Sequence, residues 1–282
     1  MGLEIDAWMR LPAEILQDEA KVPVRFVPSR AALYAAFARE IADEIRAHNA
    51  AGEPTRLILP VGPIGQFPVL AEICNRERIS WQNVWTFNMD EYCDWEGRSI
   101  PLDHPLSFEG YMREEFFARL EPDLRIPEDH VFFPRIERID EVSETIAGLG
   151  GIDSCYGGIG IHGHVAFNEP PISRFYQVTL EEFRNSRTRV LPLAPETTVM
   201  NSIRRVGGNF YTFPPMAVTI GMKDILDSRR IRLYCDGGDW QKAILRIALL
   251  GDVSTHYPAT LLQEHADALI TTDADTAAPL TL

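Results

Sequence analysis

Two short stretches of the 282-residue sequence contain most of the side chains that could act as acids, bases or ligands. In the first, NMDEY at residues 88–92, the adjacent acids Asp90 and Glu91 follow an apolar run at residues 83–88 that is typical of a buried strand. A carboxylate at the carboxyl end of a strand can serve as a general base when burial or a neighbouring group tunes its pKa. A solvated acidic turn explains the same residues, so the spacing alone leaves both interpretations open.

The second stretch, GGIGIHGHVAFNEP at residues 157–170, places His162, His164 and Glu169 within eight positions. Its glycines allow a sharp turn and a close approach of the backbone to a ligand. One histidine could exchange protons with that ligand, because an imidazole titrates near neutral pH. A structural pair of histidines is the plainer interpretation, which the many glycines make less attractive.

The two histidines could instead bind a metal ion, with Glu169 or Asp90 as a further ligand. An H-x-H pair is weak evidence for a metal when the third ligand is not known. Acid–base use of one histidine explains the residues as well and requires less. The sequence is therefore interpreted without a metal ion or a cofactor.

Two cations, Arg204 and Lys242, are candidate ligands for an anion. Lys242 follows DGGD at residues 236–239 and lies at the start of a predicted helix. A lysine there opposes the helix dipole unless an anion shares the positive field. An exposed lysine explains the position more simply, because most lysines are exposed.

The order of the predicted elements indicates how these side chains are positioned. Short apolar strands alternate with helices, which predicts a mostly parallel, doubly wound (Rossmann-like) α/β sheet with helices on both faces. Such sheets bind ligands beyond the carboxyl ends of their strands, where Asp90 and His164 are expected on adjacent strand ends. The predicted strands span residues 56–61, 83–88, 153–159, 217–220, 231–235 and 268–272, and the predicted helices span residues 30–49, 67–76, 104–120, 240–250 and 258–265.

The chain is expected to form a single domain over residues 1–282. Residues 168–208 are its least regular part and contain several prolines. A long irregular insertion in an α/β domain is often a lid, although a surface excursion fits the composition equally well.

Composition and charge restrict the class of partner. A net charge of -14 disfavours nucleic acid, but a few cations can still dominate one pocket for an anionic substrate. The four cysteines are far apart and form no C-x-x-C pair, which is consistent with reduced thiols in a cytoplasmic protein. No apolar stretch approaches the ~18 residues that a membrane span needs, so no membrane partner is expected.

Taken together, the stretches resemble the glucosamine-6-phosphate deaminase/isomerase family. The resemblance rests on VWTFNMDEY at residues 84–92, DHPLSF at 103–108 and GGIGIHGHVAFNEP at 157–170, and it covers about residues 57–273. It implies that Asp90 is the base that moves a proton between C2 and C1 of an open-chain amino sugar. It also implies that His164 opens the sugar ring and that Glu169 orients this histidine.

The same resemblance implies a binding site for the sugar phosphate. Arg204 and Lys242 would hold the phosphate, and Gly62, Gly65 and Gln66 would lie in or just beyond the family's phosphate turn. The implied activity is aldose–ketose isomerisation with deamination, which yields a ketose phosphate and ammonia without a cofactor. Relatives of this family are often homo-oligomers, so a homo-oligomer is expected.

Two positions depart from the family pattern. The family has an acid where this chain has His162, and a second imidazole stabilises an imidazolium poorly. The phosphate turn, LPVGPIG at residues 59–65, has lost the family's hydroxyl donors, and Pro63 has no backbone N–H to offer. Each lost hydrogen bond to a charged oxygen costs about 1.5–3 kcal/mol.

These departures keep two alternatives open. One is an isomerase or a lactonase-like hydrolase that acts on a different sugar or sugar acid. The related lactonases lack the FNEP continuation that this chain has at residues 167–170, so the hydrolase ranks lower. The other is a non-catalytic sugar-sensing protein, although a sensor does not need a base such as Asp90.

Overall fold

The computed structural model describes residues 7–280 and contains two β-sheets with helices around them. Its strands, in chain order, are β1 (Val24–Val27), β2 (Thr55–Leu59), β3 (Val84–Asn88), β4 (Asp90–Cys93), β5 (Val131–Phe132), β6 (Ser154–Gly158), β7 (Arg189–Pro192), β8 (Met216–Thr219), β9 (Arg230–Cys235) and β10 (Ala268–Asp273). The α-helices are α1 (Ala13–Glu19), α2 (Arg30–Ala51), α3 (Gln66–Glu77), α4 (Phe108–Glu115), α5 (Glu141–Gly148), α6 (Leu180–Arg184), α7 (Pro195–Val206), α8 (Met222–Leu226), α9 (Lys242–Leu250) and α10 (Ala274–Ala277). In the part of the chain that is described, no helix combines the length and the apolar character needed to cross a bilayer.

The larger sheet is parallel throughout and has the strand order β1-β10-β9-β6-β2-β3-β5. From β2 the chain adds strands outward in one direction to β5, and from β6 it adds them in the other direction. The order therefore reverses between β2 and β6, which is the point where doubly wound sheets bind ligands. This arrangement confirms the predicted fold class.

Apolar side chains cover both faces of this sheet, as the near-continuous apolar strands predict. Along β2, Leu57 and Leu59 join one buried cluster and Ile58 joins the other, because successive side chains of a strand point to opposite faces. Residues of α2 and α3 belong to the first cluster, and residues of α5 and α9 belong to the second. The helices therefore lie on both faces and hold the strand ends in place.

Helix α2 shows how local sequence sets an element's limits. The Ser29 hydroxyl accepts a hydrogen bond from the backbone N–H of Ala32 at the start of the helix. Gly52 ends it with φ +71°, a left-handed conformation that glycine adopts without strain. The prediction of a helix over residues 30–49 is thereby confirmed to within two residues.

The smaller sheet is antiparallel, with the order β4-β8-β7, and it corrects two expectations. Asp90 and Glu91 lie in β4 rather than in a turn, because β4 pairs with β8 from residue Asp90 opposite Thr219. Residues 168–208 are not irregular throughout, since they contain α6, β7 and α7. Local sequence did not reveal these elements because their partners are distant in the chain.

Two helix predictions also need correction. The helix expected over residues 104–120 is shorter, since Ser107 caps α4 and a separate 3₁₀ turn follows at Phe117–Arg119. The helix expected at residues 258–265 is a 3₁₀ helix, Pro258–Glu264. Strands β1 and β5 were not predicted; they form the two edges of the larger sheet.

Candidate active site

A cavity of about 290 Å³ lies at the carboxyl ends of β2, β3, β6 and β9. Its volume is close to the lower end of the roughly 300–1,000 Å³ that ligand pockets occupy, which suits a small molecule. The lining includes Asp90, His164, Gly62 and Arg204 from the predicted site. It also includes one side of α7, from Thr197 to Arg205, so part of the segment at residues 168–208 forms one wall.

Asp90 comes two residues after the end of β3 and lines this cavity. Its side chain is buried, and burial raises the pKa of Asp90 well above its ordinary value. The negative charge of Glu91 raises it further, and the backbone N–H of Phe167 opposes the rise. A carboxylate with such a pKa holds protons more tightly than an exposed one, as a general base requires.

Glu91, the neighbouring acid, has a structural role. Its carboxylate accepts hydrogen bonds from the Ser107 hydroxyl at 2.9 Å and from the backbone N–H groups of Phe108 at 3.0 Å and Glu109 at 2.9 Å. These donors form the start of α4, where a carboxylate satisfies N–H groups that have no partner within the helix. Glu91 therefore fixes α4 against β4, and the motif DHPLSF supplies the helix start that it holds.

His164 lies on a tight turn that follows β6. The backbone N–H of Gly160 donates to the carbonyl of His164 at 2.9 Å, and Gly163 turns the chain with φ +75°. A side chain on Gly160 would collide with Nε2 of His164, so the glycine is required for this approach. Burial and, to a smaller extent, the charge of His162 lower the pKa of His164 to about 3, so the imidazole is neutral at neutral pH.

Glu169 and His162 lie close to His164 without lining the cavity. The Glu169 carboxylate accepts a hydrogen bond from the backbone N–H of Ala194 at 2.6 Å through Oε2. His162 has Nδ1 3.4 Å from the Thr197 hydroxyl. No hydrogen bond joins Glu169 to His164 among the described residues, so the structure brings the pair together without showing the predicted orienting contact.

Asn168 connects this turn to the smaller sheet. Its amide nitrogen donates to the carbonyls of Val165 at 3.0 Å and Ile220 at 2.9 Å, and its amide oxygen accepts from Arg189 at 2.8 Å. The FNEP segment therefore fixes the position of the histidine turn against β7 and β8.

The expectation that Asp90 and His164 lie on adjacent strand ends is wrong. Asp90 follows β3 and His164 follows β6, and both of these strands pair with β2, which separates them in the larger sheet. The turn after β2 therefore lies between the two groups, and its residues Pro60, Val61 and Gly62 line the cavity.

The other predicted residues of the phosphate turn lie outside the cavity lining. Gln66 is buried, and its side-chain amide donates to the Pro63 carbonyl at 2.7 Å. The ring of Tyr34 covers Gly65 so closely that a side chain at that position would clash with it. Both residues hold the turn in shape from behind.

The two predicted cations differ in position. Arg204 lines the cavity, and its guanidinium lies 5.2 Å from the centre of the Trp240 ring. Lys242 is not part of the lining, and its Nζ lies 2.8 Å from a carboxylate oxygen of Asp239. Arg205, which sequence reasoning missed, is a second cation in the cavity lining.

Tyr34 and Asp236 were also missed. The Tyr34 hydroxyl donates to the Asp236 carboxylate at 2.6 Å, and both residues line the cavity. Asp236 follows β9 in the DGGD segment, so its position at a strand end was a usable signal. Tyr34 lies near the start of α2, away from any strand end, and gave no such signal.

The fold and this site define an α/β protein whose ligand cavity lies at the switch point of a parallel sheet, with a buried carboxylate and a buried imidazole in its lining. No family model matches the chain. Among curated proteins, it is 32% identical over 243 residues to a glucosamine-6-phosphate deaminase from Phocaeicola vulgatus, covering 84% of this chain and 85% of the relative. It is 34% identical over 242 residues to one from Borrelia garinii subsp. bavariensis, covering 84% of each chain.

Solved structures are also similar to this chain. A monomeric glucosamine-6-phosphate deaminase superposes with a TM-score of 0.76 at 28% identity, covering 90% of this chain and 98% of the other. A 6-phosphogluconolactonase from Shewanella baltica superposes with a TM-score of 0.63 at 19% identity, covering 89% and 97%, and shares the fold. The chain belongs to the glucosamine-6-phosphate deaminase family.

Proposed function

We propose that this chain is an enzyme that converts glucosamine 6-phosphate and water into a ketose 6-phosphate and ammonia. The observation that carries the proposal is the placement of Asp90, His164 and Arg204 around one small cavity. Isomerising an amino sugar needs a base at C2 and a second group at the ring oxygen, held in distinct environments. The names of the curated relatives support this substrate.

The proposed reaction begins with ring opening at His164. A neutral imidazole has one nitrogen that can accept a proton, and Nε2 of His164 lies next to Gly160 of the cavity lining. Nε2 accepts the proton of the anomeric hydroxyl and passes it to the ring oxygen as the bond between that oxygen and C1 breaks. The product is the open-chain aldehyde.

Asp90 then transfers a proton along the sugar. Its carboxylate removes the proton from C2 and returns it to C1, while a proton of the amino group at C2 passes to the oxygen at C1. The aldehyde at C1 thereby becomes an alcohol, and the amine at C2 becomes an imine. Water adds to C2, and ammonia leaves. The pKa of Asp90, raised by burial, favours this proton transfer.

We propose that Arg204, with Arg205, binds the phosphate. Lys242 contributes only if its ammonium leaves Asp239. Glu169 and His162 act on His164 from behind, outside the cavity lining. A lid role for residues 168–208, a homo-oligomeric state and a cytoplasmic location stay predictions; one relative of known structure is described as monomeric.

The test is product formation from purified protein and glucosamine 6-phosphate. We expect ammonia and ketose phosphate in equal amounts, measured by coupled assays on the same sample. Ketose without ammonia would indicate another isomerase, and binding without either product would indicate a sensor.

A second candidate is an enzyme of the same scaffold that acts on an unphosphorylated amino sugar or a sugar acid. It is favoured by the turn after β2, where Val61, Pro63 and Ile64 line the cavity in place of hydroxyl donors. The acidic side chain of Asp236 in the same lining also disfavours a phosphate. Thermal shifts with phosphorylated and unphosphorylated glucosamine separate the two candidates, because the true ligand stabilises the folded state more.

A further inference from the structure

His162 and Glu169, behind the cavity, form a cluster with His164 of its lining. The proposed reaction uses one nitrogen of His164 and gives the cluster's two outer members no contact with the sugar. One ring nitrogen each from His162 and His164 and one carboxylate oxygen from Glu169 lie within 4.8 Å of one another. His164 is 7% exposed and Glu169 is 8% exposed. Two imidazoles and a carboxylate thus converge in a largely water-free place.

Two polar atoms of this cluster have no partner. Nδ1 of His164 and Oε1 of Glu169 are both buried, and neither makes a hydrogen bond within the described residues. Buried polar atoms in folded proteins almost always have a partner, and leaving one without costs about 1–3 kcal/mol. Two such atoms in one cluster indicate a missing partner that both can bind.

The surrounding backbone holds the donors in place. The Ala194 N–H binds Oε2 of Glu169, which leaves Oε1 free. The carbonyl of Gly163, between the two histidines, accepts a hydrogen bond from the Ala259 N–H at 2.7 Å. The Thr197 hydroxyl lies beside Nδ1 of His162. Metal-binding histidines and carboxylates are oriented by outer contacts of this kind.

We propose that His162, His164 and Glu169 bind one divalent transition-metal ion of the Zn²⁺ type. Ions of this type commonly bind two imidazole nitrogens and one carboxylate oxygen, whereas Mg²⁺ and Ca²⁺ prefer oxygen ligands alone. Zn–N bonds of about 2.0–2.1 Å place tetrahedral donor atoms about 3.3 Å from one another. The three ligand atoms lie within 4.8 Å of one another, so the distances between them must shorten by up to about 1.5 Å on binding.

The donor set depends on the residue at position 162. The family pattern has an acid there, and this chain supplies a second imidazole instead. The nearby Glu196 carboxylate lies 3.5 Å from Nε2 of His162 and is mostly exposed, so it or a water molecule can complete the coordination. Binding through the buried Nδ1 of His164 leaves Nε2, next to Gly160 of the cavity lining, free for the sugar. The metal site therefore shares His164 with the proposed reaction but uses the other nitrogen of its ring.

The test is metal binding by the full chain in the absence of sugar. The protein is treated with a chelator, dialysed and titrated with Co²⁺ and Zn²⁺, following the visible absorption of Co²⁺ and the heat of Zn²⁺ binding. We expect one ion per chain and an intense Co²⁺ band typical of four-coordinate geometry. Zn²⁺ should displace Co²⁺ and abolish the band.

Matched variants locate the ion. His162→Ala and Glu169→Gln should each weaken binding by at least ~100-fold, because even outer-shell changes cost 10–100-fold. His256→Ala, which removes an exposed histidine, should bind as the parent does. Circular dichroism establishes that each variant folds, and His162→Asp, which restores the family's residue, provides a second substitution at the same position.

The outcomes separate this inference from the proposed function. Equal affinity in the parent, His162→Ala and His162→Asp, or no Co²⁺ band in the parent, would overturn the metal site. Ammonia release by protein that binds no metal would overturn the site and leave the proposed function intact. Stoichiometric metal binding that depends on His162, without ammonia release, would support the site and refute the proposed function.

Discussion

Two parts of the cavity lining differ in how much reactive chemistry they hold. The turn after β6 and the start of β4 contribute His164 and Asp90, both buried and both with strongly shifted pKa values. The turn after β2, which lies between them, contributes Val61 and Ile64, whose side chains have no group that binds an anion. Cationic side chains reach the lining from α7 instead, as Arg204 and Arg205. We therefore expect the reaction type and the choice of ligand to depend on separate parts of this chain.

The largest effect is expected when the carboxylate of Asp90, the proposed base, is removed. Asp90→Asn should lower kcat for ammonia release by about 10²–10⁴-fold, because a positioned general base contributes about that much. Binding of the sugar phosphate, measured by thermal shift, should survive. The control is Asp129→Asn, an exposed acid in a distant 3₁₀ turn, which should leave kcat unchanged. Full activity in Asp90→Asn would show that Asp90 is not the base.

The next change tests the cationic side chains that α7 contributes to the cavity. Arg204→Ala should weaken binding of glucosamine 6-phosphate by about 10–100-fold, since a hydrogen bond to a charged group contributes about 1.5–3 kcal/mol. The affinity for unphosphorylated glucosamine should change little, which makes that sugar the control ligand. The affinity of Arg204→Lys for glucosamine 6-phosphate should lie between those of the parent and of Arg204→Ala, because lysine keeps the charge but lacks the planar guanidinium. Calorimetry measures each affinity; an equal loss for both sugars would remove Arg204 from the phosphate site.

A smaller effect is expected when a hydroxyl is restored to the turn after β2. Ile64→Thr places a donor in the cavity lining and should improve the KM for the phosphorylated sugar by about tenfold, which corresponds to one hydrogen bond of about 1.5 kcal/mol. Ile64→Val, which removes a methylene group without adding a hydroxyl, is the matched control. If both variants behave alike, the anion does not reach this turn.

The smallest effect concerns pH and stability. Because the pKa of Asp90 is raised, kcat/KM should fall with decreasing pH at values above ~3.9, the ordinary pKa of an aspartate. A carboxyl whose folded pKa exceeds its unfolded one stabilises the fold at low pH, and that stabilisation is lost as pH rises through the folded pKa. Asp90→Asn should therefore raise the melting temperature at neutral pH by a few degrees and flatten its dependence on pH. A lower melting temperature for the variant at neutral pH would contradict the assigned shift.

Much of the fold could be predicted because its signals are local. The strands β2, β3 and β6 are short apolar runs followed by glycines or acids, and buried strands of this kind are recognisable without their neighbours. Helix α2 has both a cap residue, Ser29, and a terminating Gly52. The position of the candidate site followed from these elements, since parallel strands end at one edge.

The rest depends on contacts between distant residues. Strand β4 exists because it pairs with β8, more than a hundred positions away, and its leading acids made it look like a turn. The side chain of Lys242 is held by Asp239, and that of Tyr34 is directed by Asp236. The distinct roles of Asp90 and Glu91 arise from the docking of α4, which periodicity does not report. Local pattern predicts elements, but it does not decide which of two adjacent acids faces a cavity.

The bond between Glu91 and the first turn of α4 has a consequence for protein engineering. Glu91 follows Asp90 directly in β4, so the proposed base is the chain neighbour of the residue that binds the helix. We expect substitutions that shift α4 at the protein surface to change turnover, although no exposed residue of this helix lines the cavity. A redesign that leaves catalysis unchanged should therefore start from α5, on the opposite face of the sheet, and treat the first turn of α4 as part of the active site.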